Sequence, residues 1–88
     1  MKKRKLVNAF SAVMETRMAA KEKKYKKIPW WKNRGLFIEL EEAVDKLHVV
    51  LDDGGCPEAI QEQAADVANF AMMIAGQADT KWRKFKND

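Results

Sequence analysis

Signals that stop a helix cluster at two places in this 88-residue chain. The first is Lys26-Lys27-Ile28-Pro29, where the residue before proline is pushed out of the α region. The second is Asp52-Asp53-Gly54-Gly55, whose paired glycines permit positive φ, with Pro57 just beyond. No stretch alternates polar and apolar residues for long, so no strand is expected. Two breaks leave three helical stretches, and the expected fold is an all-α antiparallel helical bundle.

The periodicity places a first helix over about 5–24. Its apolar positions Leu6, Ala9, Phe10, Val13, Met14 and Met18 recur at helical spacing. Asn33 suits the N-cap of a second helix over about 34–51, with an apolar stripe of Leu36, Leu40, Val44, Leu47 and Leu51. Pro57 fits the first position of a third helix over about 57–77, where its missing N–H costs nothing. From Ala64 to Ala75 that helix is apolar nearly all round, apart from Asp66 and Asn69, which predicts burial on more than one face. A short amphipathic tail over 79–86 carries Trp82 and Phe85 among Lys81, Arg83, Lys84 and Lys86. Residues 1–88 read as one domain. A monomer of this size buries only about 60–65% of its unfolded surface, so a second subunit is expected to complete the core.

Charge is unevenly spread. Residues 1–34 hold twelve Lys/Arg against Glu15 and Glu22, whereas residues 35–80 hold ten acids against Lys46. The basic ends, with Lys2-Lys3-Arg4-Lys5 the densest cluster, suit anions such as nucleotides or nucleic acid, or are simply solvated helix faces. No apolar run reaches the roughly 18 residues that span a bilayer, so no membrane partner is expected. The N-terminus shows no signal-peptide core. Cys56 is the single cysteine and has no intrachain partner, which favours a reducing, intracellular setting.

Within the acidic middle, Glu39 and Glu42 are spaced i, i+3, as are Gln63 and Asp66, so each pair points to one side of its helix. Two antiparallel helices would gather three carboxylates and one amide around a hard divalent cation. Asp66 is the diagnostic residue. It is flanked by Phe70 and Met73 in an apolar helix, and a buried carboxylate must be paired, hydrogen-bonded or metal-bound. The alternatives are a structural salt bridge or amide network, with Lys46 the one in-register base on helix 2 and others available from helix 1 or the tail, and an Mg²⁺ site shared with Glu39 and Glu42.

Glu39-x-x-Glu42 followed by Asp66-Val67-Ala68-Asn69-Phe70-Ala71-Met72-Met73 resembles the MazG-type, all-α nucleoside triphosphate pyrophosphohydrolases, above all their short phage and prokaryotic members. The match covers roughly residues 30–75. The resemblance implies a homodimer or homotetramer in the cytoplasm of a bacterium or phage-infected host. It also implies Mg²⁺, or Mn²⁺ in its place, held by a Glu-x-x-Glu pair and a Glu-x-x-Asp pair. Carried over by position, Glu39, Glu42 and Asp66 match the ligands, and Gln63 stands where the family has Glu. An amide oxygen can coordinate a hard cation but brings no charge.

The implied reaction is hydrolysis of a nucleoside triphosphate to monophosphate and pyrophosphate, with Glu39 or Glu42 polarising the attacking water. Asn69 is a candidate for the sugar or a phosphate. Trp30 and Trp31 are candidates for stacking on the base or for anchoring the loop. Arg34, Lys26 and Lys27 are candidates for the phosphates. Two other readings remain open. Gln63 could leave a protein that binds nucleotide or a partner without turnover, and the basic ends could bind nucleic acid. His48 is expected to face solvent, since a zinc site needs more His or Cys. Met14, Met18, Met72 and Met73 read as core fillers, and Gly54-Gly55 as a turn, without the lysine of a phosphate loop.

Overall fold

The structure, a computed structural model, describes residues 3–25 and 35–78. These form α1 (Lys3–Tyr25), α2 (Leu36–Asp52) and α3 (Pro57–Ala78), with no strand among them. All three expected helices form, each end within two residues of the expected bound. The proposed tail helix, Asn33 and the Lys26–Pro29 break lie outside the described residues. The start of α2 differs from expectation: Gly35 occupies the cap position, with no side-chain cap, and its carbonyl accepts the Glu39 N–H at 3.1 Å.

The α2–α3 turn follows from its glycines. Gly54 takes φ +65°. Gly54 N donates to Leu51 O at 3.3 Å and Gly55 N to Val50 O at 2.8 Å. This is the paired closure that terminates a helix through a left-handed residue. A Cβ on Gly55 would stand 2.5 Å from Val50 Cγ1 and 2.9 Å from Val50 O, so only glycine lets the chain turn so tightly. Pro57 then opens α3, whose first turn closes through Ile60 N donating to Cys56 O at 3.1 Å.

α1 and α2 each pack chiefly on α3. This answers the all-round apolar character of α3: one face meets α2 and another meets α1. The apolar centre is Leu36 and Ala43 of α2 against Phe70 and Met73 of α3, with Met18, Leu40, Val67 and Ile74 around it. Each large side chain buried there contributes about 1.5–3 kcal/mol. On α2 the buried column is displaced from the expected stripe. Leu36 and Ala43 are buried, while Val44 and Leu51 are 46% and 54% exposed. α3 covers only one side of a wide apolar face, so the small Ala43 sits at the contact and the larger residues beside it do not. On α1, Phe10, Val13, Met14 and Met18 are half-buried, while Leu6 and Ala9 are exposed.

Candidate functional site

Asp66 lies mid-way along α3, on the face it shares with Phe70 and Met73, and is 4% exposed. The cations that compensate its burial come from α1. Arg17 reaches it as a fork, Nε donating to Oδ1 at 3.0 Å and Nη2 to Oδ2 at 2.9 Å. Lys21, one helical turn on, adds its Nζ to Oδ2 at 3.0 Å. The remaining Arg17 nitrogen stands 3.4 Å from Glu62 Oε2, at the exposed rim. Burial pushes the Asp66 carboxyl up, but the hydrogen bonds and charges of Arg17 and Lys21 outweigh it and hold the pKa below the ordinary value. The same hydrogen bond raises the pKa of Arg17, against a smaller opposing effect of burial. The salt-bridge alternative for Asp66 is therefore realised, with helix 1 as the source of the bases.

Arg17 and Lys21 were not among the sequence candidates, although a signal was present. At about 100° per residue both fall in the middle of the α1 face that carries Phe10 and Met14. Two bases interrupting an apolar face, one turn apart, call for a buried acid opposite.

Glu39, Glu42 and Asp66 line one small pocket together with Lys21, Ala43, Lys46 and Phe70. Its free volume of about 30 Å³ is that of one water or ion. Glu39 lies in the first turn of α2, where the helix N-terminus favours a carboxylate. Its Oε2 is buried and receives no hydrogen bond. Glu42 is exposed at the pocket's edge. Gln63 does not line this pocket, and its Oε1 is likewise buried without a hydrogen bond.

Carboxylate oxygens are the donors a hard divalent cation takes, and Glu39 brings one that is buried without a hydrogen bond, whereas both Asp66 oxygens are already bonded to Arg17 and Lys21. Among the described residues, no group of three or more His, Cys, Asp or Glu is placed to hold a metal ion.

Asn69 is 4% exposed and serves the α1–α3 packing, its Nδ2 donating to Met14 O at 2.9 Å. It also lines a groove of about 290 Å³ with Ser11, Met14, Glu15, Met18 and Met72. The methionines expected as core fillers divide: Met73 is buried, Met14 and Met18 are half-buried, and Met72 is exposed. His48 is exposed and meets only Asp52 one turn on, at 3.0 Å. Trp30, Trp31, Arg34, Lys26 and Lys27 lie outside the described residues. No described helix is long and apolar enough to cross a membrane. Compared with known proteins, the chain matches no family model, no curated protein and no solved structure.

Proposed function

We propose that this chain is a Mg²⁺-dependent nucleoside triphosphate pyrophosphohydrolase, acting on an NTP or dNTP. The observation that carries the reading is the one pocket that Glu39 and Glu42 of α2 and Asp66 of α3 line together, with Lys21 and Lys46 in its wall. Glu39 and Glu42 would hold Mg²⁺, with Mn²⁺ as its substitute. Bound there, the cation would clamp the phosphates and neutralise the charge that builds on them.

The chain's own residues supply the rest. Exposed Glu42 takes a proton from the water that attacks the α-phosphorus. The bond from that phosphorus to the bridging oxygen breaks, and pyrophosphate leaves with the bond's electron pair. Lys46, on the pocket wall, offers a point charge to the phosphates. Asp66 keeps Arg17 in place. A 30 Å³ pocket has room for an ion but not a nucleoside, so base and sugar bind beyond it. A separate groove of about 290 Å³ on the α1–α3 seam, walled by Met14, Met18 and Met72 and sharing no lining residue with the pocket, approaches the size of a small-ligand site. Asn69 at that groove, Trp30 and Trp31 as stacking surfaces and Arg34 as a phosphate contact complete the proposal.

A homo-oligomer belongs to the same reading. Phe37, Val44 and Leu51 recur every seven residues on α2 and are each about half or more exposed. With half-buried Leu47 beside them they would form a seam along which a second copy of α2 pairs.

A second reading, binding without turnover, is favoured by Asp66 and Gln63. Both Asp66 oxygens are already taken by Arg17 and Lys21, and Gln63 adds no charge. Pyrophosphate assayed after incubation with Mg²⁺ and each NTP and dNTP separates the two. Hydrolysis predicts release that Glu39→Ala and Glu42→Ala abolish. Release no greater than that of Glu42→Ala, with activity appearing only in Gln63→Glu, establishes the second reading instead.

A further inference from the structure

We propose that Lys21 is an internal competitor of the divalent cation, an ammonium that neutralises Asp66 in the metal-free protein and must withdraw when the cation enters. The inference rests on the cation site proposed above.

Arg17 alone already satisfies Asp66, because its fork meets both carboxylate oxygens. Lys21 is a second cation on an oxygen that already has one. It is also the residue that joins Asp66 to the glutamates, since its side chain lines the pocket that holds Glu39 and Glu42. Arg17 does not line that pocket. The Lys21 side chain is about a quarter exposed, and its ammonium stands 5.5 Å from the centre of the Phe70 ring. A flexible stem, an aromatic face and a route to water let it retreat at little cost.

The charges give the competition its direction. Glu39, Glu42 and Asp66 face Lys21 and Lys46, with Arg17 behind Asp66. Lys21 and Lys46 offset two of the three carboxylates that line the pocket and leave a weak field to concentrate a dication. Removal of Lys21 from the pocket restores one negative charge at the position where a cation would sit. Lys21 is in this sense a positioning residue that sets cation affinity.

The test is direct Mn²⁺ binding to the full chain, read from the spin-resonance signal of free Mn²⁺. Lys21→Gln keeps a hydrogen-bond donor for Asp66 and removes the charge, and Lys21→Met removes both. Each is expected to bind Mn²⁺ about tenfold more tightly than wild type. Lys46→Met removes a charge from the same pocket but no ion pair to Asp66, and should gain less than about threefold. Equal or weaker affinity in helical, folded Lys21→Gln overturns the proposal, as does an equal gain from Lys46→Met.

A second readout needs no variant. The side-chain ammonium resonance of Lys21 in wild type should shift on saturation with Mg²⁺, and an unmoved resonance overturns the proposal. Pyrophosphate release alongside unchanged Mn²⁺ affinity in Lys21→Gln sinks this inference and leaves the hydrolase reading standing. Tighter Mn²⁺ binding with no release by any form does the reverse.

Discussion

The third helix meets its two neighbours through faces of different chemistry. Towards α2 it presents Phe70 and Met73 to Leu36 and Ala43, an apolar seam with small and large residues interleaved. Towards α1 it presents Asp66, Glu62 and Asn69 to Arg17, Lys21 and the Met14 carbonyl. Burial of apolar area is non-directional and scales with the area removed from water, so the α2–α3 contact does not depend on pairing charges. A charged seam gains less, because each ion must be desolvated before it is paired. It does fix register, since a fork on a carboxylate tolerates little sliding. It also responds to pH, salt and competing ions. The pocket of Glu39, Glu42 and Asp66 lies where the two seams meet, which exposes it to that response.

The comparison can be broken most forcefully from the charged side. Replacing both Arg17 and Lys21 by Met leaves Asp66 buried with no partner, and should cost about 3–5 kcal/mol in urea unfolding. That is a large part of the roughly 4–13 kcal/mol available to a chain of this length. Leu36→Ala in the apolar seam should cost about 2–5 kcal/mol. Its loss should be the same at low and high salt, whereas the charged-seam variants should change with salt.

Asp66→Asn, which keeps the shape, should cost about 1–3 kcal/mol at neutral pH, and this cost should depend on pH. The folded pKa of Asp66 lies below its ordinary value. The unfolded chain therefore binds a proton there first as pH falls, near the usual carboxylate value of about 3.9. The stabilisation is complete above that value and drains away as pH falls from it through the folded pKa. The difference between wild type and Asp66→Asn should hold steady from about pH 5 to 8 and shrink below about 4. A difference that grows in acid would contradict the assigned ion pair. At the small end, His48→Ala removes an exposed pair with Asp52 and should change stability by no more than about 0.5 kcal/mol.

The contrast between seams also explains what could be read from sequence. Helix bounds were legible because Gly54, Gly55 and Pro57 act locally, through φ and a missing N–H. That Asp66 is buried was legible too, since it shares its face with Phe70 and Met73 in a helix that is apolar nearly all round from Ala64 to Ala75. Its partners were harder to find. Arg17 and Lys21 lie 49 and 45 residues away, on a helix rich in similar bases. Only their place within the apolar face of α1 distinguishes them. The choice of Ala43 over Val44 as the buried residue of α2 was not legible. Both belong to one broad apolar face, and the packing angle of α3 decides which side is covered. Gln63 shows another limit: spacing put it on the Asp66 side of α3, yet the pocket formed without it.

Soaking crystals with Mn²⁺ and recording its anomalous scattering tests the account most directly. The account predicts a peak about 2.1 Å from carboxylate oxygens of Glu39 and Glu42, with Lys21 withdrawn from Asp66 and Arg17 still in place. Saturating Mn²⁺ with no peak between the two helices, and Lys21 still closed on Asp66, would contradict it.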